Sequence, residues 1–110
     1  MIEGVGAQLR KGVAEFCILG LLDGVPMYGW ELSTRLQEVG VIGSIGTLYP
    51  LLGRLRDRGS IAAVVVPSDQ GPARKYYSLT DVGKIELGRF RAEWPSFVSQ
   101  VNQTIGRGTP

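Results

Sequence analysis

The sequence predicts a mainly helical α+β domain, and three observations predict it. Leu48, Leu51, Leu52 and Leu55 recur at i, i+3, i+4 and i+7, the apolar face of an amphipathic helix. A β-branched run, Ile61 to Val66, is followed by a turn-rich stretch, Pro67 to Pro72, and then by Arg74 to Leu79, which reads as the returning strand of a hairpin. Finally, Leu87, Phe90, Trp94, Phe97 and Val101 step by three and four, a short heptad seam suited to packing against a partner helix.

The other elements fall around these three. Residues 11–22 read as a first helix with Val13, Phe16, Cys17 and Leu21 on one face, although a run this apolar also suits a buried strand. Asp23-Gly24-Val25-Pro26 ends it. Residues 27–39 read as a second helix, with Tyr28, Leu32, Leu36 and Val39 at helical spacing, Trp30 as a packing residue, with a role in binding as the lesser alternative, and Gly40 as the C-terminal cap. Ser44 is the expected N-cap of the third helix, because its hydroxyl can accept orphan backbone N–H groups. Gly59 closes that helix, and Pro50 is expected to bend its first turns. Thr80-Asp81 caps the last helix, which is expected to kink or break at Pro95, and the tail from Gly106 to Pro110 is expected to fray. The order is three helices, a two-stranded wing and a long final helix, which is the winged helix-turn-helix arrangement. Residues 1–80 form the winged part and 81–110 the final helix and tail, together one compact unit.

Composition narrows the function. The chain has 110 residues and 44% hydrophobic content, enough for one core. A domain this small leaves much apolar surface near water, and dimerisation is a natural way to bury more of it. The formal charge is +2, but it is unevenly spread. Residues 1–43 carry three basic against five acidic groups, whereas residues 44–76 carry Arg54, Arg56, Arg58, Arg74 and Lys75 against Asp57 and Asp69. A basic patch is what a phosphate backbone requires; on charge alone, a solvated face is the simpler account.

There is no histidine, so Ser-His and Cys-His catalysis and histidine-bound metals are excluded. The lone Cys17 lies in an apolar run and has no basic neighbour in sequence to lower its pKa, so it reads as a core residue and not a redox sensor. No phosphate-binding glycine loop is present. The sequence therefore points to no enzyme, no metal and no cofactor. The first residues are mixed and include an acid, and the longest apolar stretch, Phe16 to Leu22, is too short to span a bilayer. A cytoplasmic protein with no membrane partner is expected.

Several segments carry a family resemblance. They are Leu9-Arg10-Lys11-Gly12 with Glu15-Phe16, then Met27-Tyr28-Gly29-Trp30-Glu31-Leu32, then Gly46-Thr47-Leu48-Tyr49-Pro50 with Leu55, and finally Gly71-Pro72-Ala73-Arg74-Lys75-Tyr76-Tyr77-Ser78-Leu79-Thr80 with Gly83. In this order and spacing the chain resembles the PadR family of transcriptional regulators over nearly its whole length. The single short C-terminal helix is similar to that of the smaller subfamily, which contains regulators of multidrug efflux.

The resemblance implies a sequence-specific repressor that binds double-stranded DNA as a homodimer at a palindromic operator. It makes the helix bearing Thr47 to Pro50 the recognition helix. Ser44, Thr47 and Tyr49 would meet phosphates or base edges, Arg54 a phosphate or a guanine edge, and Arg74 and Lys75 in the wing the phosphates. Arg56 and Arg58 read as solvated. The last helix would hold the dimer through Leu87, Phe90, Trp94, Phe97 and Val101. Trp94 matches a position where efflux-regulating relatives stack flat aromatic drugs at the dimer interface, with Lys11 and Glu15 approaching the same space. Trp94 filling the dimer seam is the other reading; Pro95 beside it and the apolar Val98 one turn on weaken a site for a cationic effector. The alternative function from another class is a winged-helix protein-interaction module with no DNA role.

Overall fold

The computed structural model describes residues 5–106. Helix α1 spans Val5–Leu21, α2 Gly29–Glu38, α3 Ile45–Asp57 and α4 Asp81–Ile105. The strands are β1 (Met27–Tyr28), β2 (Ile61–Val66) and β3 (Arg74–Leu79). The mainly helical winged fold read from the sequence is therefore present.

The four leucines of α3 are all buried and meet Ile18 and Leu19 of α1, Leu22 just beyond it, and Leu32 and Leu36 of α2 in one core. Both α2 and α3 stop at a glycine in the left-handed region. Gly40 has φ 81° and Gly59 φ 84°, a conformation that costs a residue with a β-carbon. Beyond each glycine the chain folds back. Val41 N–H donates to the Leu36 carbonyl and Ser60 N–H to the Leu55 carbonyl, both at 2.9 Å, closing a Schellman motif. Cys17 lies half-buried against the core, where burial pushes its thiol pKa up and keeps it protonated at neutral pH.

Several local expectations are corrected. Met27 and Tyr28 are extended, opposite Tyr77 and Tyr76, so they add a third strand to the wing in the order β1-β3-β2. The second helix starts only at Gly29. The first helix begins earlier than expected, at Val5. Neither proline breaks its helix: α3 continues through Pro50 and α4 through Pro95. Ser44 occupies the N-cap position of α3, but its side chain makes no capping hydrogen bond. The tail expected to fray lies outside the described residues beyond Gly106.

Helix α4 is held to the rest of the domain at its start and near its middle. Thr80 caps it, accepting the Gly83 N–H at 3.0 Å on its hydroxyl oxygen. The same hydroxyl lies 2.6 Å from the Gly59 carbonyl and 2.9 Å from the Ser60 carbonyl, so it also ties the end of α3 to the start of α4. Further along, Arg91 pairs with Asp23 beyond α1 at 3.0 Å. Replacing Thr80 with alanine is expected to destabilise the domain by about 1–2 kcal/mol, the upper range for a lost cap, while Thr80→Ser stays near wild type. Urea denaturation of both variants checks this; an alanine variant as stable as wild type would show that the cap contributes nothing.

Candidate nucleic-acid interface

Because the leucines commit one side of α3 to the core, its other residues form a separate face. Thr47, Tyr49, Pro50, Arg54 and Arg56 are all exposed, and Ser44 stands exposed just before them. The antiparallel pairing of β2 and β3 carries the wing away from the core, with Val66 opposite Arg74 and Val65 opposite Lys75. Arg74 and Lys75 are exposed there. All six residues expected to meet DNA thus present their side chains on the exposed face of α3, just before it, or on the wing.

Arg54 is also held from within the chain. Its Nε donates to Glu15 Oε2 of α1 at 3.0 Å. Arg58, expected to be merely solvated, instead joins three elements. It donates to Glu15 Oε1 from Nη1 at 3.1 Å, and its Nε lies 3.2 Å from Glu86 Oε2 of α4 and 3.3 Å from Ser60 Oγ. The Ser60 hydroxyl in turn donates to the other oxygen of Glu86. The C-terminal end of α3 is thereby clamped to α1 and α4. Neither carboxylate is near Arg54 or Arg58 in sequence, so no local spacing announces these contacts.

Burial by itself would raise the Glu15 pKa, but hydrogen bonds and charges from Arg58 and Arg54 outweigh it and hold the carboxyl below its ordinary value. A carboxylate depressed in the folded state stabilises the fold fully above its unfolded value, about 4.3, and loses that contribution as pH falls through the lower folded value. Acid unfolding followed by circular dichroism is therefore expected to show a component below pH about 4.3 that Glu15→Gln removes. The same acid limb in wild type and variant would refute it.

A groove of about 900 Å³ runs between α1 and α4. Its wall is a ladder of rings. Phe16 stacks on Phe90 with centroids 4.3 Å apart, Phe90 on Trp94 at 5.2 Å, and Phe97 follows Trp94 at 6.4 Å. Arg58 and Glu86 of the clamp also line it. Of the three residues expected at a ligand, Trp94 lines this groove; Lys11 and Glu15 do not, Glu15 being turned to its two arginines.

Among the residues expected in a dimer seam, Leu87 is 4% exposed and belongs to the protomer's own core, which corrects its assignment to a partner contact. Phe97 is 56% exposed and Trp94 40%, while Phe90 and Val101 are half-buried. Trp30, read as packing, is also corrected: it is 60% exposed.

Among the described residues there is no cluster of acidic or cysteine side chains able to hold a metal, and no helix is long and apolar enough to cross a membrane.

A three-helix core whose third helix presents a polar and basic face, flanked by a basic wing, defines a winged helix-turn-helix domain. The chain belongs to the PadR-like family of transcriptional regulators, whose family model matches residues 18–89. Solved structures agree. A PadR-like transcription factor from Bacteroides fragilis is 41% identical, with a TM-score of 0.76 over 93% of this chain and 99% of that one. A PadR-like transcriptional regulator from Bacillus cereus is 38% identical, with a TM-score of 0.78 over 92% of this chain and 99% of that one. PadR of Bacillus subtilis, solved in complex with operator DNA, is 28% identical with a TM-score of 0.63. That match covers 89% of this chain and 49% of that one.

Proposed function

We propose that this chain is a repressor that binds a palindromic DNA operator as a homodimer and is released by a flat aromatic effector. The observation that carries the reading is the exposed face of α3, with Ser44, Thr47 and Tyr49 leading, beside a wing that exposes Arg74 and Lys75. A helix enters the major groove with its first residues towards base edges, and wing cations suit the adjoining phosphates. The complex of Bacillus subtilis PadR with operator DNA supports this use of the fold.

Two recognition helices about 34 Å apart would meet successive turns of the duplex, hence the palindrome. The aromatic ladder of the α1–α4 groove is the surface for the second protomer. What remains open beside Trp94 once the two grooves meet would hold the effector, whose ring stacks on the indole. Release requires the effector to prefer a dimer geometry that DNA does not. Arg54, its side chain 61% exposed, can offer its Nη groups to DNA while its Nε stays on Glu15.

The test is a fluorescence-anisotropy titration of the protein against duplex DNA from upstream of its own gene, beside a scrambled duplex, at two salt concentrations. Tight binding that prefers the native duplex and weakens with salt supports the reading. The double variant Arg74→Ala, Lys75→Ala should then bind both duplexes more weakly, with the logarithmic salt slope reduced by about 2. Equal and weak binding to both duplexes would turn the balance to a protein-interaction module.

A further inference from the structure

The reading above places DNA on α3 and the wing and leaves unused the surface that joins them. That surface is aromatic. Tyr49 leans from α3 onto the start of α2, where a β-carbon at Gly29 would stand 3.5 Å from its hydroxyl oxygen and from its ring. The exposed indole of Trp30, the next residue, stacks with the Tyr28 ring at 6.4 Å and 20°. Tyr28 lies 5.5 Å from Tyr76 across the sheet, and the guanidinium of Arg74 sits 4.8 Å above the Tyr28 ring. The strip is therefore continuous from the recognition helix to the wing. The nearby acid, Glu31, is committed to capping, since it accepts the Tyr28 N–H at 3.3 Å.

We propose that Trp30 and Tyr28 are a third part of the DNA-contact surface, an aromatic strip that lies along the sugar–phosphate backbone between α3 and the wing. This rests on the DNA-binding reading above. The indole has the chemistry for such a contact: a flat apolar face for deoxyribose and one N–H donor for a phosphate oxygen. Continuity with Tyr49 and with Arg74 favours a polyanion as the occupant. An apolar protein surface would have to bury that guanidinium unpaired, at a cost. The contact reads backbone and not bases, so it adds affinity to any duplex without adding sequence choice.

The experiment compares full-length wild type with Trp30→Ala and Trp30→Phe, each titrated against the native and the scrambled duplex while tryptophan emission is followed in parallel. Trp30→Ala is expected to weaken binding to both duplexes by about tenfold, the scale of a lost hydrogen bond to a charged group. The salt slope should not change, because no charge is removed. Wild-type emission is expected to change when DNA is added, and Trp30→Phe, which keeps Trp94, should lose that change.

Wild type that binds DNA alongside variants of equal affinity, with no emission change owed to Trp30, would overturn the inference and leave the DNA-binding reading standing. A loss confined to the native duplex would also overturn it, since that means base readout. Failure of wild type to bind any duplex would overturn the inference together with the reading beneath it. Trp30 is exposed, so circular dichroism of both variants is expected to match wild type.

Discussion

Replacing Gly83 with alanine is expected to destabilise the domain by about 3 kcal/mol or more, the upper end of what overpacking a tight site costs. Gly83 is buried in the first turn of α4. A β-carbon there would stand 2.6 Å from Leu79 Cδ1 and collide with the Ser60 carbonyl oxygen. The leucine can turn aside, but the carbonyl cannot. Its residue is buried, its N–H is held by Leu55, and its oxygen accepts from both the backbone N–H and the hydroxyl of Thr80. The remaining response is for α4 to lift away from the β2 end of the core, which strips Leu87 from its packing. Gly88→Ala is the control, since nothing lies within 4 Å of the methyl it would add. Relieved of glycine's entropy in mid-helix, that variant should gain about 0.5–1 kcal/mol. Urea midpoints for the two should move in opposite directions. A Gly83→Ala protein within about 1 kcal/mol of wild type would mean that α4 is not locked to Ser60 as the structure has it.

The parts of the fold legible in the sequence are those whose cause is local. Leu48, Leu51, Leu52 and Leu55 announce a helix and its buried face because burial on one side of a helix imposes that period. Thr80 announces a cap because the N–H it satisfies is three residues away. What failed to show depends on partners distant in sequence. Tyr28 fits the helical period of Leu32 and Leu36, and only its pairing with Tyr76 makes it a strand residue. The stepped seam on α4 shows that one side of the helix is apolar, but not what covers each part of it. Leu87 is covered by the chain's own core, whereas Trp94 and Phe97 are left open.

The same limit applied to the candidate interface. Exposed positions on α3 and the wing followed from pattern, whereas the engagement of Arg54 and Arg58 by Glu15 needed the fold. Trp30 reads as packing in the sequence because large aromatic side chains are mostly buried. In the structure Gly29 beside it is buried while the indole itself turns outward.

Phe97→Asp is expected to turn the proposed dimer into a monomer and to weaken operator binding by about 10²-fold or more. Phe97 is more than half exposed in the protomer, at the open end of the ring ladder that Phe16, Phe90 and Trp94 build along the groove. A carboxylate there stays hydrated in the monomer, so folding is expected to proceed and circular dichroism to stay unchanged. In a dimer closed over the groove, the same charge would enter the interface twice and lose its hydration, and each copy would carry a penalty of several kcal/mol unless an arginine of the groove reached it. The monomer keeps α3 and the wing, so it still meets one half-site. It loses the second recognition helix, which the dimer delivers at high effective concentration. Sedimentation and anisotropy on the operator separate the two effects. A Phe97→Asp protein that stays dimeric would place the interface elsewhere on the molecule. One that is monomeric yet binds the operator as tightly as wild type would show that a single protomer suffices, and the palindrome would lose its physical basis.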